Sequence, residues 1–364
     1  MSKLKIGGVV AIAVILIGAL LSFSVLIAVG FDFGKFNAES FERIEQTPEQ
    51  PFSEIEIRTS FCDVRIMPAA QGETPRIITP NSKNIQHLVS LADGKLTVRE
   101  VDAREWYEKI GIFSVDDEMV AVELYLPHAW YGNVKIMTAS GDVSIEGKGA
   151  VEDLVTFQNV WVETASGDVD FHADVVRNIT NNGNTVTGGA YFRSASGDIH
   201  VRGVKEGPIS ADSTSGEITV RDCTTVQLQL SSTSGDIKIA NTDCALGSVN
   251  VDSTSGEITL SDVKADKLEM ESSTGDMELT RVTVGGHMQL ITVSGEIDIE
   301  RSDAVTLYMR STSGDIKAEL LSGKRFFVET TSGDVRHPES DNVRGGLCEV
   351  KTTSGDVEIT VLPQ

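Results

Sequence analysis

The sequence predicts an all-β protein, a single-stranded β-solenoid of about 20-residue coils preceded by one N-terminal transmembrane helix. The main observation is a Ser-Gly-acidic turn that recurs at intervals of 26, 30, 19, 19, 21, 19, 20, 19, 19 and 22 residues. Such a period is typical of stacked repeats, in which one unit alone cannot bury its apolar face. The turn glycines are Gly141, Gly167, Gly197, Gly216, Gly235, Gly256, Gly275, Gly295, Gly314, Gly333 and Gly355.

The second observation is a period of two on both sides of each turn, as in residues 226–232 (VQLQLSS) and 237–240 (IKIA) around Gly235. Alternation of apolar and polar residues indicates β-strands. Two strands and two corners per coil leave no room for a crossover helix, so successive coils should pair with each other. A β-propeller is the alternative, because two coils could supply the roughly 40 residues of one blade. Glycine is expected in the turns because it reaches positive φ at no steric cost.

The chain begins with two lysines, followed by 25 residues without a charge. Such a stretch is long enough to cross a bilayer as an uncleaved anchor, although a signal peptide is the alternative. The positive-inside rule then places the N-terminus in the cytoplasm and the bulk of the chain outside a cell membrane that it crosses once. We expect a cytoplasmic stub over residues 1–5, a transmembrane anchor over 6–30, a stalk over 31–51, an N-terminal β region and cap over 52–137, and β-solenoid repeats over 138–364.

The region before the first regular turn contains strands and several aromatic residues, namely Trp106, Tyr107, Phe113, Trp130 and Tyr131. Residues 59–63 (TSFCD) resemble a degenerate turn of a first coil, and an irregular start is what an end cap requires. The two long intervals, between Gly141 and Gly197, predict insertions that mark any working face. At the other end, Pro363 should lie beside an open strand edge, where it removes one hydrogen-bond donor.

The formal net charge of −23 disfavours nucleic acid and anionic lipid headgroups as partners, so we expect no nucleic acid. Four scattered cysteines do not form a disulfide framework, although Cys223 and Cys244 lie about one coil apart and could be bridged. Buried thiols are the alternative. We predict no catalytic, cofactor-binding or metal-binding residues, because the histidines have no metal-ligand spacing. They are His87, His128, His172, His200, His287 and His337.

An acidic residue follows every turn glycine, from Asp142 to Asp356. Hydrogen bonding within the turns accounts for these acids without a ligand. A calcium ladder is the alternative, because carboxylate oxygens are ligands that Ca²⁺ prefers. Unchanged thermal stability on addition of calcium would exclude that ladder.

The repeated Thr-Ser-Gly-Asp turn, as in residues 353–356, and a strand ending in Leu126 and Pro127 resemble a bacterial adhesin family with β-strand repeats. This cell-envelope family includes proteins linked to Lia-type envelope-stress responses. The resemblance covers residues 55–361 and implies a membrane-associated surface protein without catalytic residues. We therefore expect a non-enzymatic adhesin, scaffold or stress sensor that binds a protein, peptide or glycan at the envelope. A polysaccharide-active β-helix enzyme is the alternative, although few aromatic residues follow residue 200.

Overall fold

The fold consists of coils stacked through parallel strand pairing. A computed structural model describes residues 40–105, 120–147, 155–175, 178–181, 184–340 and 346–363, and every regular element in these ranges is a β-strand. Strands of neighbouring coils pair in parallel and in register, so that equivalent residues lie above one another. The all-β prediction and the coil repeat are therefore confirmed.

The N-terminal strands belong to the first coils and to the cap that covers them. They are β1 (Glu42–Gln46), β2 (Glu54–Arg58), β3 (Asp63–Pro68), β4 (Arg76–Asn81), β5 (Ile85–Ala92), β6 (Lys95–Asp102) and β7 (Ala121–Leu126).

The remaining strands form the regular coils and one hairpin, β13 with β14. They are β8 (Trp130–Met137), β9 (Val143–Glu146), β10 (Thr156–Glu163), β11 (Val169–His172), β12 (Asp174–Val175), β13 (Asn178–Asn181), β14 (Asn184–Thr187), β15 (Gly189–Ser194), β16 (Ile199–Arg202), β17 (Ile209–Ser213), β18 (Ile218–Arg221), β19 (Gln227–Ser232), β20 (Ile237–Ser253), β21 (Ile258–Ser272), β22 (Met277–Thr280), β23 (Thr283–Thr292), β24 (Ile297–Ser311), β25 (Ile316–Leu320), β26 (Lys324–Ser332), β27 (Val335–Arg336), β28 (Gly346–Ser354) and β29 (Val357–Val361).

A regular coil has three straight segments rather than the two predicted from the sequence. Strand β20 bends at Asn241, where φ is +48°, and again at a register shift between Cys244 and Ser248. The period of two is interrupted at the first bend, where two successive residues, Ala240 and Asn241, both face outward between the buried Ile239 and Thr242. Equivalent residues in neighbouring coils have the same left-handed conformation, which is uncommon outside glycine. They are Asp222, Asp262, Arg281 and Arg301.

The core is a set of columns in which each buried side chain lies on its counterpart in the next coil. Leu230, Val251 and Met270 form part of one column, and all three are at most 1% exposed. Burial of an aliphatic side chain contributes about 1.5–3 kcal/mol, so each added coil stabilises its neighbour.

The turn glycines are required by close approach, and not by positive φ as predicted. A Cβ added to Gly235 would lie 2.0 Å from the carbonyl oxygen of Gly216, and the same approach recurs from Gly141 to Gly355. Among the turn glycines only Gly333 has a positive φ, +151°. Stacked turns leave no space for a side chain at this position. We call this column of turn glycines the glycine ladder.

A buried hydroxyl group accepts a hydrogen bond within each turn from Gly141 to Gly314, beside the glycine ladder. The backbone N–H of Gly235 donates to Ser232 Oγ at 2.9 Å. A serine or threonine three residues before the glycine accepts the same bond, at 2.8–3.1 Å, in every coil from Gly141 to Gly314. The repeated turn hydroxyls therefore have a structural role.

The acidic residues of the turns hold neighbouring coils together where they are aspartates. Asp168 N–H donates to Asp142 Oδ1 at 2.8 Å, and Glu296 N–H donates to Asp276 Oδ1 at 2.8 Å. The longer glutamates make other contacts, as Glu217 does with Lys238. Hydrogen bonding thus gives the aspartates a structural role that requires no ligand.

Both ends of the stack depart from chain order. At the N-terminal end, β2 and β3 pair on one side with β8 and β9 and on the other side with β6 and β7. The coil of β2 and β3 comes first in the sequence but second in the stack, because the later strands β6 and β7 lie outside it. Strand β4 pairs antiparallel with β7 and β1, and β5 pairs antiparallel with β6. This cap covers the outermost strands.

At the C-terminal end, β28 and β29 insert between the coil of β24 and β25 and the coil of β26 and β27. The glycine ladder has the same order, since Gly355 stacks on Gly314 and Gly333 stacks on Gly355. Strand β29 pairs along its whole length with β25, whereas β27 pairs only with Val357 and Glu358. Among the described residues, positions 359–361 therefore keep one unpaired side, next to Pro363 as the sequence predicts.

Residues 42–46, which the sequence placed in the stalk, form β1, and Arg43 of this strand pairs with Glu123 at 2.8 Å. The predicted anchor, residues 6–30, lies outside the described residues. Within the described ranges, no helix has the length and apolarity needed to cross a bilayer.

A substitution in the glycine ladder tests the stacking constraint. We expect Gly235→Ala to lower the free energy of unfolding by about 3 kcal/mol or more, because the added Cβ overlaps backbone atoms that cannot move independently. Gly285→Ala is the matched control, because its Cβ would lie 3.5 Å from the nearest atom, which is ordinary contact. Urea denaturation followed by circular dichroism measures both. Equal stability of the two variants would contradict the requirement for glycine in the glycine ladder.

The two kinds of turn acid should differ in their contribution to stability. Asp276→Ala removes the acceptor of the Glu296 N–H and should lower the free energy of unfolding by about 1 kcal/mol. Glu257→Ala should stay within about 0.5 kcal/mol of the wild type, because that carboxylate accepts only a 3.5 Å bond from Thr259. Asp276→Asn keeps an acceptor oxygen and should lie between them. The same denaturation assay applies, and equal losses for the two alanine variants would disprove the distinction.

Candidate functional site

Two large aromatic side chains lie next to each other on the outer surface of the stack. Trp161 of β10 and Tyr191 of β15 are direct partners in the parallel ladder. They are 44% and 40% exposed, their ring centroids lie 5.8 Å apart, and their planes are inclined by 32°. Single exposed aromatic residues are common on protein surfaces, whereas Trp161 and Tyr191 together form a contiguous exposed aromatic patch.

Polar groups flank the two rings on the preceding coil. Lys135 of β8 is the partner of Trp161, and its Nζ lies 6.0 Å from the ring centroid. Asn159 Nδ2 donates to Asn133 Oδ1 at 2.8 Å. We call Asn133, Lys135, Asn159, Trp161 and Tyr191 the aromatic platform.

The strand pattern dictates that the aromatic platform faces outward. Val160 and Val162 are fully buried, so Trp161 between them must point away from the core. The Tyr191 ring lies beside Gly189, where an added Cβ would come within 3.1 Å of Tyr191 Cε2. The absence of a side chain at Gly189 therefore leaves the space that the Tyr191 ring occupies. A rigid parallel sheet holds both rings before any ligand arrives.

The predicted insertions adjoin the aromatic platform in the chain. The first long interval places its extra residues between β9 and β10, and the second contains the hairpin of β13 and β14 immediately before β15. Strands β10 and β15 carry Trp161 and Tyr191. The insertions thus precede the two strands that present the exposed rings.

A second candidate site is a buried cluster beneath the N-terminal cap. Cys62 Sγ, one ring nitrogen of His87 and one carboxylate oxygen of Glu100 all lie within 4.8 Å of one another. His87 Nε2 is 3.9 Å from Glu100 Oε2, and the two side chains are 0% and 3% exposed. His87 and Glu100 are cross-strand partners in β5 and β6. We call Cys62, His87 and Glu100 the cap cluster.

Hydrogen bonds orient two members of the cap cluster. His87 Nδ1 lies 2.7 Å from the carbonyl oxygen of Pro80, which can only accept, so Nδ1 carries the proton. Glu100 Oε2 accepts from the backbone N–H of Ser60 at 2.8 Å. Burial lowers the pKa of His87, against the opposing effect of Glu100. Burial also raises the pKa of Cys62, and Glu100 and Asp63 add to this effect.

The other cysteines pack in the core as thiols. Burial raises the pKa of Cys244 to about 12 and that of Cys348 to about 12. Cys223 and Cys244 are buried without a disulfide. The ladder places Asp243 opposite Thr224, so Cys244 is in register with Thr225 rather than with Cys223. The 21-residue separation exceeds the local coil length by two residues.

Sequence reasoning placed His87 among the histidines without ligand spacing and so missed the cap cluster. Its members are far apart in the chain, and only the pairing of β5 with β6 and of β6 with β2 brings them together. One signal was readable in the sequence. Cys62 occupies the position of the turn glycine in the degenerate turn, where the later turns have no side chain.

No curated protein matches the chain. A crystal structure from Parabacteroides distasonis described as a "putative lipid binding protein" has a TM-score of 0.38 and 11% identity, covering 89% of this chain and 98% of that one. A "putative cell adhesion protein" from Clostridium sporogenes has a TM-score of 0.17 and 8% identity, covering 89% and 100%. Likenesses of this degree identify neither a ligand nor a function.

The match to a protein family covers most of the chain. The Toastrack DUF4097 family matches residues 52–261 and 243–363, which together contain every strand from β2 to β29. This span agrees with residues 55–361, over which the sequence resembles a β-repeat family. The chain therefore belongs to the Toastrack DUF4097 family.

Proposed function

We propose that this chain is a membrane-anchored, extracytoplasmic adhesin that binds envelope carbohydrate on its aromatic platform and has no catalytic activity. The exposed Trp161–Tyr191 pair carries this proposal. Sugars present flat C–H faces that pack on aromatic rings, and their hydroxyl groups pair with amides and ammonium groups. Asn133, Asn159 and Lys135 supply those groups beside the rings.

The non-enzymatic part of the proposal is supported by the role of the turn acids. A polysaccharide-cleaving β-helix would use two carboxyl groups facing one bond, one as acid and one as base or nucleophile. In this chain the aspartate carboxylates that recur along the stack accept backbone N–H groups of the next coil, as Asp142 and Asp168 do. These bonds give the carboxylates a structural task. Release of reducing ends from the bound polysaccharide would contradict this part.

The location is supported by the N-terminal sequence and by the start of the fold. Residues 6–30 carry no charge, and two lysines precede them. Strand β1 begins at Glu42, so the link from the anchor can extend at most about 40 Å. The aromatic platform lies in coils near the N-terminal end of the stack. A tether of this length keeps it within the layer of the envelope next to the membrane.

Removing the two rings should weaken carbohydrate binding. We expect Trp161→Ala with Tyr191→Ala to weaken binding of the full chain to insoluble peptidoglycan or envelope polysaccharide by about 10-fold or more, because interface aromatics dominate binding energy. Phe327→Ala is the matched control, because Phe327 is 60% exposed but lies in the outermost C-terminal coil. Sedimentation binding isotherms measure the affinities. Wild-type affinity in the double variant would show that the aromatic platform does not bind the carbohydrate. Binding to envelope proteins but not to polysaccharide would show that the ligand is not a carbohydrate.

The anchor has its own test. The full chain should remain with membranes after carbonate extraction, and protease added outside spheroplasts should digest the part that follows residue 30. A chain lacking residues 6–30 should be released on extraction. Recovery of the full chain in the soluble fraction, or protection of its body from external protease, would contradict the predicted orientation.

A further inference from the structure

We propose that the cap cluster of Cys62, His87 and Glu100 is a zinc site that clamps the N-terminal cap to the first coil. The three ligand atoms converge from three separate segments, the turn between β2 and β3, strand β5 and strand β6. Thiolate, imidazole and carboxylate are the donors that Zn²⁺ takes in proteins, and three protein ligands leave a fourth position for water.

The stacking geometry explains why a side chain can project here. In the glycine ladder, a Cβ on Gly141 would point at the carbonyl oxygen of Cys62, toward the N-terminal end of the stack. The same direction at position 62 points away from Gly141 and toward the cap. On that side the Cys62 thiol meets a ring nitrogen of His87 and a carboxylate oxygen of Glu100, and the three ligand atoms lie within 4.8 Å of one another. The ladder ends where the cluster begins.

Two polar atoms of the cap cluster are buried without a hydrogen-bond partner. They are His87 Nε2 and Glu100 Oε1. Because Nδ1 donates to Pro80, Nε2 presents a lone pair toward the Glu100 carboxylate. Two electron-rich groups face each other in a site that excludes water, which costs free energy unless a cation lies between them. A divalent ion satisfies both atoms.

The surroundings resemble those of a metal site in three respects. A histidine ligand usually donates its other ring N–H to a carbonyl group, as His87 does to Pro80. The carboxylate is held by the Ser60 N–H at 2.8 Å. A thiolate and a carboxylate together neutralise a dication, so the bound site would carry no net charge in the interior.

The distances and the access route also suit an ion. Zinc bonds of about 2.0–2.3 Å place tetrahedral ligands about 3.3–3.7 Å apart. His87 Nε2 and Glu100 Oε2 are 3.9 Å apart, so this pair needs a contraction of a few tenths of an ångström. All three ligand atoms lie within 4.8 Å of one another, so closing the site on the ion requires the remaining pairs to contract by at most about 1 Å. Glu100 also lines a surface groove of about 420 Å³ with Thr59 and Ser60. This groove provides a path for the ion, and binding would release the thiol proton to solvent.

Metal titration of the full chain in detergent tests the site. After chelation, the protein should bind one Zn²⁺ per chain in competition with a chromophoric chelator, and its Tm should rise. With Co²⁺ it should show a thiolate-to-cobalt charge-transfer band. Absence of that band in the wild type, or a Tm unchanged by Zn²⁺, overturns the proposal whatever the variants do.

Variants assign the ligands. Cys62→Ser, His87→Gln and Glu100→Gln should each weaken zinc binding by at least about 100-fold. Cys348→Ser and His172→Gln are matched controls, a buried thiol in another coil and a histidine whose Nδ1 lies 3.0 Å from Glu146. Both should bind zinc as the wild type does. Circular dichroism of each metal-free variant checks folding. If one ligand variant fails to fold, the other two assign the site, and wild-type affinity in any folded one overturns it.

Discussion

The close approach of successive turn glycines is the constraint on which the rest of the structure depends. Each glycine places its Cα against the carbonyl oxygen of the glycine in the preceding coil, in a space that no Cβ could occupy. Only one register satisfies this contact, so all three segments of the coil are aligned by it. The apolar columns, the turn hydroxyls and the acidic residues then coincide with their counterparts.

A stack held in this way has two strand edges, and unpaired edges promote association with other chains. The molecule uses a different solution at each end. The N-terminal end has an outer coil made from a later part of the chain and antiparallel strands that cover it. At the C-terminal end the final strands are inserted beneath an earlier coil, so Val357 and Glu358 of β29 are paired on both sides. The outermost strands at this end are then β26 and the two-residue β27.

Different residue positions build the regular stack and form the candidate binding surfaces. Inward residues are mostly aliphatic side chains that pack in the core, and the turn aspartates accept hydrogen bonds from the next coil. Outward residues are not constrained by either requirement. That freedom allows Trp161 and Tyr191 to stack in adjacent coils beside polar neighbours. The cap cluster arises differently, at the one turn where a cysteine replaces glycine and the ladder stops.

The sequence by itself determined the coil period, the strands on either side of each turn, and the region that belongs to the family. These features are local, because a period of two and a repeated turn can be read within one coil. The outward direction of Trp161 also follows from its buried neighbours Val160 and Val162.

Only the tertiary structure decided the third segment of the coil, the order of the end coils and the true reason for the turn glycines. It also decided the meeting of His87 with Cys62 and Glu100. Each of these depends on which distant segments pair, and a periodic sequence offers many equivalent partners. The non-repeating contacts of the cap and the C-terminal coil select among them, and no local pattern records that choice.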